Sequence, residues 1–330
     1  MLTAQLVDAR FAGAFTAIVT PFNDDATSID FGRLAAHIEF QAHGPRASTS
    51  GPNTSGPRAS GLRGVVISGT TGESPTLSDN EYRALVERAV DLAHRAGLLA
   101  IVGTGSNSTH HALELQRLAH HAGADAALSV NPYYNKPGQE GLYRHFMAQA
   151  DATPMATMLY NIPGRTGVAL TPETVERLAR HPNIRAIKEA TGSTDSCGEI
   201  CARCPRLAVL SGDDAMTLPF ASVGAVGVVS VVGNVLPDRV SALCAATNEG
   251  RWPEALAIHR ELLPIARALF VETNPIPIKA AMRLQGRDSG SLRLPMTPAS
   301  DKTVEQLRAL GFGRAPSHDA AEQRQAVGAV

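Results

Sequence analysis

The chain has 330 residues, with 30 Lys+Arg against 31 Asp+Glu, 44% hydrophobic residues and 18% charged ones. That length and composition suit one large folded unit, or one with a small appendage, and the balanced charge offers no basic stripe for nucleic acid or a membrane surface. The longest apolar stretch, 224–236, is Gly-rich and contains Ser230 and Asn234. It falls short of the roughly 18 apolar residues of a membrane helix. The start, MLTAQLVDAR, has no basic lead-in, so a signal peptide is not expected and a cytoplasmic location is the default.

In chain order, a short apolar run, a turn and an amphipathic stretch recur. Strands are expected at Phe15–Val19, Gly64–Ser68, Leu99–Gly103, Ala126–Val130, Met155–Tyr160, Ile184–Lys188, Leu207–Leu210 and Gly227–Val232. Helical stretches fall between them, among them 78–96, 109–121, 172–180 and 237–248. Ser78 with Glu81 three residues on reads as a capping box, and Thr171-Pro172 as an N-cap followed by proline at the first helical position. Eight such alternations over about 250 residues predict a (β/α)8 barrel. A doubly wound open sheet is the competitor, but the first βα turn, TPFNDD, lacks the Gly-rich dinucleotide fingerprint.

Past Gly250 the strand signal stops, and 252–271, 276–285 and 303–310 read as helices. The expected organisation is therefore a catalytic barrel over 1–250 and a small helical C-terminal domain over 251–330, ending in a polar tail. Residues 44–63, GPRASTSGPNTSGPRASGLR, are Gly/Pro/Ser/Thr-rich and repeat the phrase GPRAS. They read as a flexible insertion between the first helix and the second strand.

Barrel enzymes carry their chemistry where strands end. The second strand runs into Ser68-Gly69-Thr70-Thr71-Gly72-Glu73, the fourth into Asn131-Pro132-Tyr133-Tyr134, the fifth into Tyr160-Asn161, the sixth into Lys188-Glu189 and the seventh into SGDD (211–214). Only Lys136, Lys188, Lys279 and Lys302 are lysines, the other basic residues being arginine, so a lysine kept in an apolar setting points to a need for a primary amine. An amine with an ordinary pKa of about 10.4 is almost wholly protonated at neutral pH. Burial disfavours the ammonium and frees a nucleophile toward carbonyls, which arginine cannot supply. The plainer reading is a lysine that snorkels or pairs with Glu189. Tyr160 and Tyr134 offer phenols for proton transfer, and the Gly-Thr-Thr-Gly turn offers hydroxyls and N–H groups to a small carboxylate.

Cys197, Cys201 and Cys204 show the C-x3-C-x2-C spacing of radical S-adenosylmethionine enzymes. At i, i+4, i+7 after the sixth strand they read instead as one buried helix face. The pairs His110–His111 and His120–His121 read as solvated helix positions, and Asp213–Asp214 as loop and cap residues shaping the site.

Taken together, GTTGES (69–74), NPYYNKP (131–137), LYNIPGRTG (159–167), IKEATG (187–192), SGDD, NPIPIKAAM (274–282) and RLPMTP (293–298) resemble the 4-hydroxy-tetrahydrodipicolinate synthase (dihydrodipicolinate synthase) family of pyruvate-dependent class I aldolases. The likeness runs from about Phe11 to Phe312, broken by the 44–63 insertion. It implies that Lys188 captures pyruvate as a Schiff base and that Tyr160, Thr70 and Tyr134 relay protons, Tyr134 coming from a neighbouring subunit. It also implies that Thr71, with the backbone at Val229, holds the pyruvate carboxylate, and that Arg165 receives the carboxylate of L-aspartate 4-semialdehyde. No metal or organic cofactor is implied, and the assembly would be a homotetramer built as a dimer of dimers. The product would be 4-hydroxy-tetrahydrodipicolinate, the first committed step of diaminopimelate and lysine biosynthesis. Sister aldolases acting on N-acetylneuraminate or 2-keto-3-deoxy-sugar acids share the lysine and tyrosine, and a non-catalytic paralogue is the reading from outside enzymology. Arg165, Tyr134 and NPIPIKAAM favour the synthase. Members inhibited by lysine bind it at a separate polar site, of which Ser74, Asn107 and Tyr133 match here. Asp79, Tyr82 and His111 depart from it, so inhibition by lysine is expected to be weak or absent.

Overall fold

The computed structural model describes residues 7–44 and 60–313. Eight strands close a parallel barrel in sequence order: β1 (Gly13–Ala17), β2 (Gly64–Ile67), β3 (Leu99–Gly103), β4 (Ala126–Val130), β5 (Ala156–Asn161), β6 (Ile184–Glu189), β7 (Ala208–Ser211) and β8 (Gly227–Ser230). β8 pairs back onto β1, with Gly13 opposite Gly227. This is the (β/α)8 barrel that the alternation predicts.

The first strand begins two residues earlier than its apolar run suggests. Gly13 to Ala17 find partners in β2 and β8. Ile18 and Val19 leave the ladder while still buried, their N–H groups donating to Val66 O and to Asn234 Oδ1. Buried apolar residues outrun the strand because Ile18 and Val19 still pack in the core between the sheet and its helices.

Period-two alternation divides each strand between two cores. Phe15, Ile101, Leu128, Met158, Ala186, Leu210 and Val229 fill the barrel. Their neighbours Val65, Val102, Ala127 and Val228 face the surrounding helices. On β6 the same parity puts Ala186 and Lys188 inside and Ile187 and Glu189 outside.

Helices Trp252–Ala268, Ile276–Leu284 and Asp301–Ala309 follow the barrel, close to their expected places. Charged side chains tie this stretch to the barrel. Arg287 donates to His37 Nδ1 (2.9 Å) and to Asn234 O (2.9 Å), and lies 3.3 Å from the centroid of the Phe40 ring. Because Nδ1 accepts, Nε2 carries the proton and donates to Asn234 Oδ1 at 2.9 Å. Burial, aided by Arg287, holds the His37 pKa down at about 3, so the ring stays neutral.

Most of the expected 44–63 insertion, residues 45–59, lies outside the described residues. Its flanks meet: Ser60 Oγ donates to Gln41 O at 2.6 Å, and Ser60 N to Ala42 O at 3.3 Å. The polar tail from 314 also lies outside the described residues. Among those described, no helix is long and apolar enough to cross a membrane.

Candidate active site

Lys188, the next-to-last residue of β6, lies on its inward face, directly opposite Tyr160 of β5 in the strand register. Each is 5% exposed, and Nζ lies 4.2 Å from the centroid of the tyrosine ring. The pairing with Glu189 does not form. Glu189 faces the other side of the sheet, where Thr191 N (2.8 Å) and Asn161 Nδ2 (3.0 Å) donate to it. Burial raises its pKa, against those hydrogen bonds. Among the described residues no carboxylate stands within ion-pair distance of Lys188. Room for the lysine stem comes from Gly212 after β7: a Cβ there would sit 2.7 Å from Ala190 Cβ and 3.1 Å from Lys188 Cγ.

A narrow cleft of about 40 Å³ opens over Lys188. Thr70, Thr71, Tyr160 and Arg165 line it with the lysine, so five of the predicted residues converge from β2, β5 and β6. Thr71 is buried, and its Oγ1 accepts from Asn274 Nδ2 at 2.9 Å. Arg165 sits exposed at the rim on the short helix Pro163–Thr166 and donates to Asn274 O at 3.2 Å. Val229 lies in the barrel core with Tyr160, and Val231 is the β8-side residue at the cleft. Tyr134 is not part of the cleft of its own chain. It is 89% exposed, on a loop where both it (φ 74°) and Lys136 (φ 44°) take left-handed backbone that non-glycine residues rarely adopt.

The turn carrying Thr70 and Thr71 is held from below. Thr20 Oγ1 donates to Gly72 O at 2.6 Å. Glu73, also at positive φ (54°), accepts from Lys279 Nζ at 2.6 Å and from Arg293 N at 3.1 Å. Lys279 is fully buried, donates also to Ser291 O (2.8 Å) and lies 4.3 Å from the Phe22 ring centroid. On the opposite wall, buried Asp214 accepts from Ser230 Oγ, from Val231 N (2.8 Å) and from Val232 N (3.2 Å). Its neighbour Asp213 caps the turn at Ala215 N. The acidic pair are thus turn and cap residues, as the sequence reading has it.

Cys197, Cys201 and Cys204 are buried in one apolar cluster on and just after the helix Thr194–Arg203. Among the described residues no group of three or more His, Cys, Asp or Glu could hold a metal ion. His110, His120 and His121 are exposed and His111 is half-buried. Ser74, Asp79, Tyr82, His111 and Tyr133 gather on a second cavity that shares Thr70 and Arg165 with the first. Asn107 is placed nearby through its carbonyl, which accepts from Asn135 Nδ2 at 2.8 Å. The Tyr82 phenol is engaged, donating to Gly103 O at 2.8 Å, and burial pushes its pKa up.

Sequence reasoning left out Asn274, Gly212 and the Glu73–Lys279 pair. Asn274 and Lys279 stand in the NPIPIKAAM motif, but their partners lie 203 and 206 residues away, a pairing that no local pattern reveals.

A parallel barrel with a buried, carboxylate-free lysine beside a phenol at a strand end has the build of a barrel enzyme that works through an amine. Residues 10–310 match the profile of the Dihydrodipicolinate synthetase family, and the chain belongs to that family. It is 46% identical over 301 residues to a 4-hydroxy-tetrahydrodipicolinate synthase of Citrifermentans bemidjiense, covering 91% of this chain and 97% of the relative. Among solved structures, it is similar to the chloride-inhibited dihydrodipicolinate synthase of Acinetobacter baumannii complexed with pyruvate (37% identity, TM-score 0.83, 91% and 97% of the two chains). It is also similar to the synthase of Cyanidioschyzon merolae with lysine bound (38% identity, TM-score 0.85, 92% and 98%).

Proposed function

We propose that this chain condenses pyruvate with L-aspartate 4-semialdehyde to give 4-hydroxy-tetrahydrodipicolinate, with Lys188 as the Schiff-base nucleophile. The observation that carries the reading is the buried Lys188 amine, with no carboxylate in reach among the described residues, facing Tyr160 in a cleft that Thr71 and Arg165 also line. The amine adds to the pyruvate ketone and water leaves, giving an iminium. The iminium draws electrons from the methyl group, a proton departs and an enamine forms. The enamine carbon attacks the aldehyde. The semialdehyde's own amine then attacks the imine carbon, which closes the ring and returns the lysine amine.

Tyr160, whose ring centroid lies 4.2 Å from Nζ, moves the protons of these steps, with Thr70 as its partner in the cleft. Thr71 and the β8 end near Val229 hold the pyruvate carboxylate, and Arg165 at the rim holds that of the semialdehyde. Tyr134 completes the relay in a second copy of the chain. An exposed phenol on a strained loop fits a side chain whose partner lies outside its own barrel. A dimer of dimers, located in the cytoplasm, is the assembly that this reading proposes. The helices after Gly250 form, in the same reading, a small C-terminal domain that closes one side of the mouth.

The test is the pyruvate-dependent loss of L-aspartate semialdehyde, beside Lys188→Ala, with borohydride reduction in the presence of pyruvate alone. Turnover together with a pyruvate adduct at Lys188, both absent in the variant, supports the reading. Folded protein that neither turns over nor traps pyruvate overturns it.

A further inference from the structure

Asn274 joins the two carboxylate-binding elements of the cleft. Its side-chain N–H donates to Thr71 Oγ1 at 2.9 Å, while its backbone carbonyl accepts from Arg165 at 3.2 Å. It lines the cleft over Lys188, is 4% exposed, and its Oδ1 is buried without a hydrogen-bond partner. A buried acceptor left unpaired costs about 1–3 kcal/mol, so this one calls for a donor from outside the chain, a cleft water that a ligand displaces or the ligand itself.

The chemistry of the two substrates says which partner. Pyruvate brings only acceptors, a ketone and a carboxylate. The semialdehyde brings one donor group, its amine. An unpaired acceptor in this cleft therefore complements the second substrate and not the first. The amide's other end settles a different proton. With Asn274 donating, the Thr71 oxygen is an acceptor on that side and its own O–H remains available for a carboxylate. The reverse amide orientation would draw the threonine proton toward Asn274 and leave a lone pair facing an anion.

We infer that Asn274 is a positioning and specificity residue of this site, turning the Thr71 hydroxyl proton toward the pyruvate carboxylate and accepting a hydrogen bond from the amino group of the semialdehyde. The inference rests on the reaction proposed above. It assigns to a residue outside the barrel strands the selection of an amine-bearing aldehyde, and it places that amine for the ring closure that follows carbon–carbon bond formation.

Two variants separate the two roles. Asn274→Asp keeps an acceptor for the amine, but loses the donor to Thr71 and sets a negative charge beside the pyruvate carboxylate. Its KM for pyruvate should rise about tenfold or more while its KM for the semialdehyde changes less, as expected for losing a hydrogen bond to a charged group. Asn274→Ala loses both contacts. Both KM values should rise, and the preference for L-aspartate semialdehyde over 4-oxobutanoate, the same aldehyde without the amine, should shrink about tenfold.

The wild type gives a measurement that does not depend on either variant folding. 4-Oxobutanoate, tested as a competitor against the semialdehyde, should bind about tenfold more weakly than the substrate. Equal binding of the two aldehydes overturns the inference. So does an Asn274→Ala enzyme with unchanged KM values, or one in which only kcat falls. Failure of the reaction itself would show in the wild type as no turnover. In that case borohydride trapping of pyruvate by wild type and Asn274→Asp still tests the Thr71 role, and equal trapping at limiting pyruvate refutes it.

Discussion

Replacing Lys279 by methionine should be among the most damaging single changes outside the cleft. The Lys279 side chain is wholly buried and that of Glu73 nearly so, and the Nζ–Oε1 distance is 2.6 Å. Methionine fills much of the lysine volume but leaves the Glu73 carboxylate with Arg293 N as its remaining partner. Removing one member of a buried pair typically costs about 3–5 kcal/mol, because the other charge stays desolvated and uncompensated. The same ion pair exchanged for a neutral pair of similar shape loses far less, since neither group then needs hydration. The prediction is a cycle. Lys279→Met costs about 3–5 kcal/mol in urea unfolding, and Glu73→Gln a smaller amount of the same sign. The double variant is more stable than the sum of the two losses by at least about 1 kcal/mol. Because Glu73 stands two residues beyond Thr71, Lys279→Met should also raise the KM for pyruvate. A Lys279→Met protein within about 1 kcal/mol of wild type would refute the reasoning, since that is the cost of a surface change. Strict additivity in the double variant would refute it as well.

Three other outcomes are expected. The hydrogen bond from Arg293 holds the Glu81 carboxyl well below its ordinary value of 4.5, at about 2. Its contribution is therefore complete above pH 4.5 and lost as the pH falls toward 2. The stability gap between wild type and Glu81→Gln, about 1–2 kcal/mol at pH 7 once solvent screening is allowed for, should shrink on the acid side, and a gap that widens there would contradict the assignment. Replacing residues 45–59 by a short Gly-Ser link should leave kcat/KM unchanged and stability within about 1 kcal/mol, because Ser60 N already reaches Ala42 O; loss of activity or assembly would give the segment a role. Millimolar lysine should leave the initial rate nearly unchanged, since His111 stands where the resemblance expects a glutamate to pair with the ligand's ammonium group, and the Tyr82 phenol at the second cavity is already engaged. Strong inhibition at sub-millimolar lysine would refute that.

Local chemistry made much of this molecule legible. Alternating apolar runs and caps gave the barrel, and the two-residue offset in β1 arises because Ile18 and Val19 stay buried after their ladder partners end. The i, i+4, i+7 spacing pointed to a shared buried face, and the cysteines do share one apolar cluster, with Cys197 and Cys201 on the helix and Cys204 just past its end. Lysine scarcity pointed to Lys188 but did not separate it from Lys279, which is more deeply buried. What distinguishes them is a partner: Glu73 accepts from one, and among the described residues no carboxylate reaches the other. That difference is decided by a contact between the second strand's turn and a helix some 206 residues later, and side-chain patterning within either segment carries no trace of it. Asn274 went unread for the same reason.

The scarcity of lysine gives the molecule a built-in analytical map. Lys136 and Lys302 are exposed while Lys188 and Lys279 are buried, so amine reagents applied to the folded chain should mark the first pair and spare the second. After denaturation, a lysine-specific protease divides the chain at four points, with 137–188 and 189–279 as adjacent fragments. An adduct on the Lys188 amine blocks the cut between them and fuses the two into one peptide. The state of the proposed nucleophile can thus be read from a digest, with no chromophore and no substrate analogue attached to the protein.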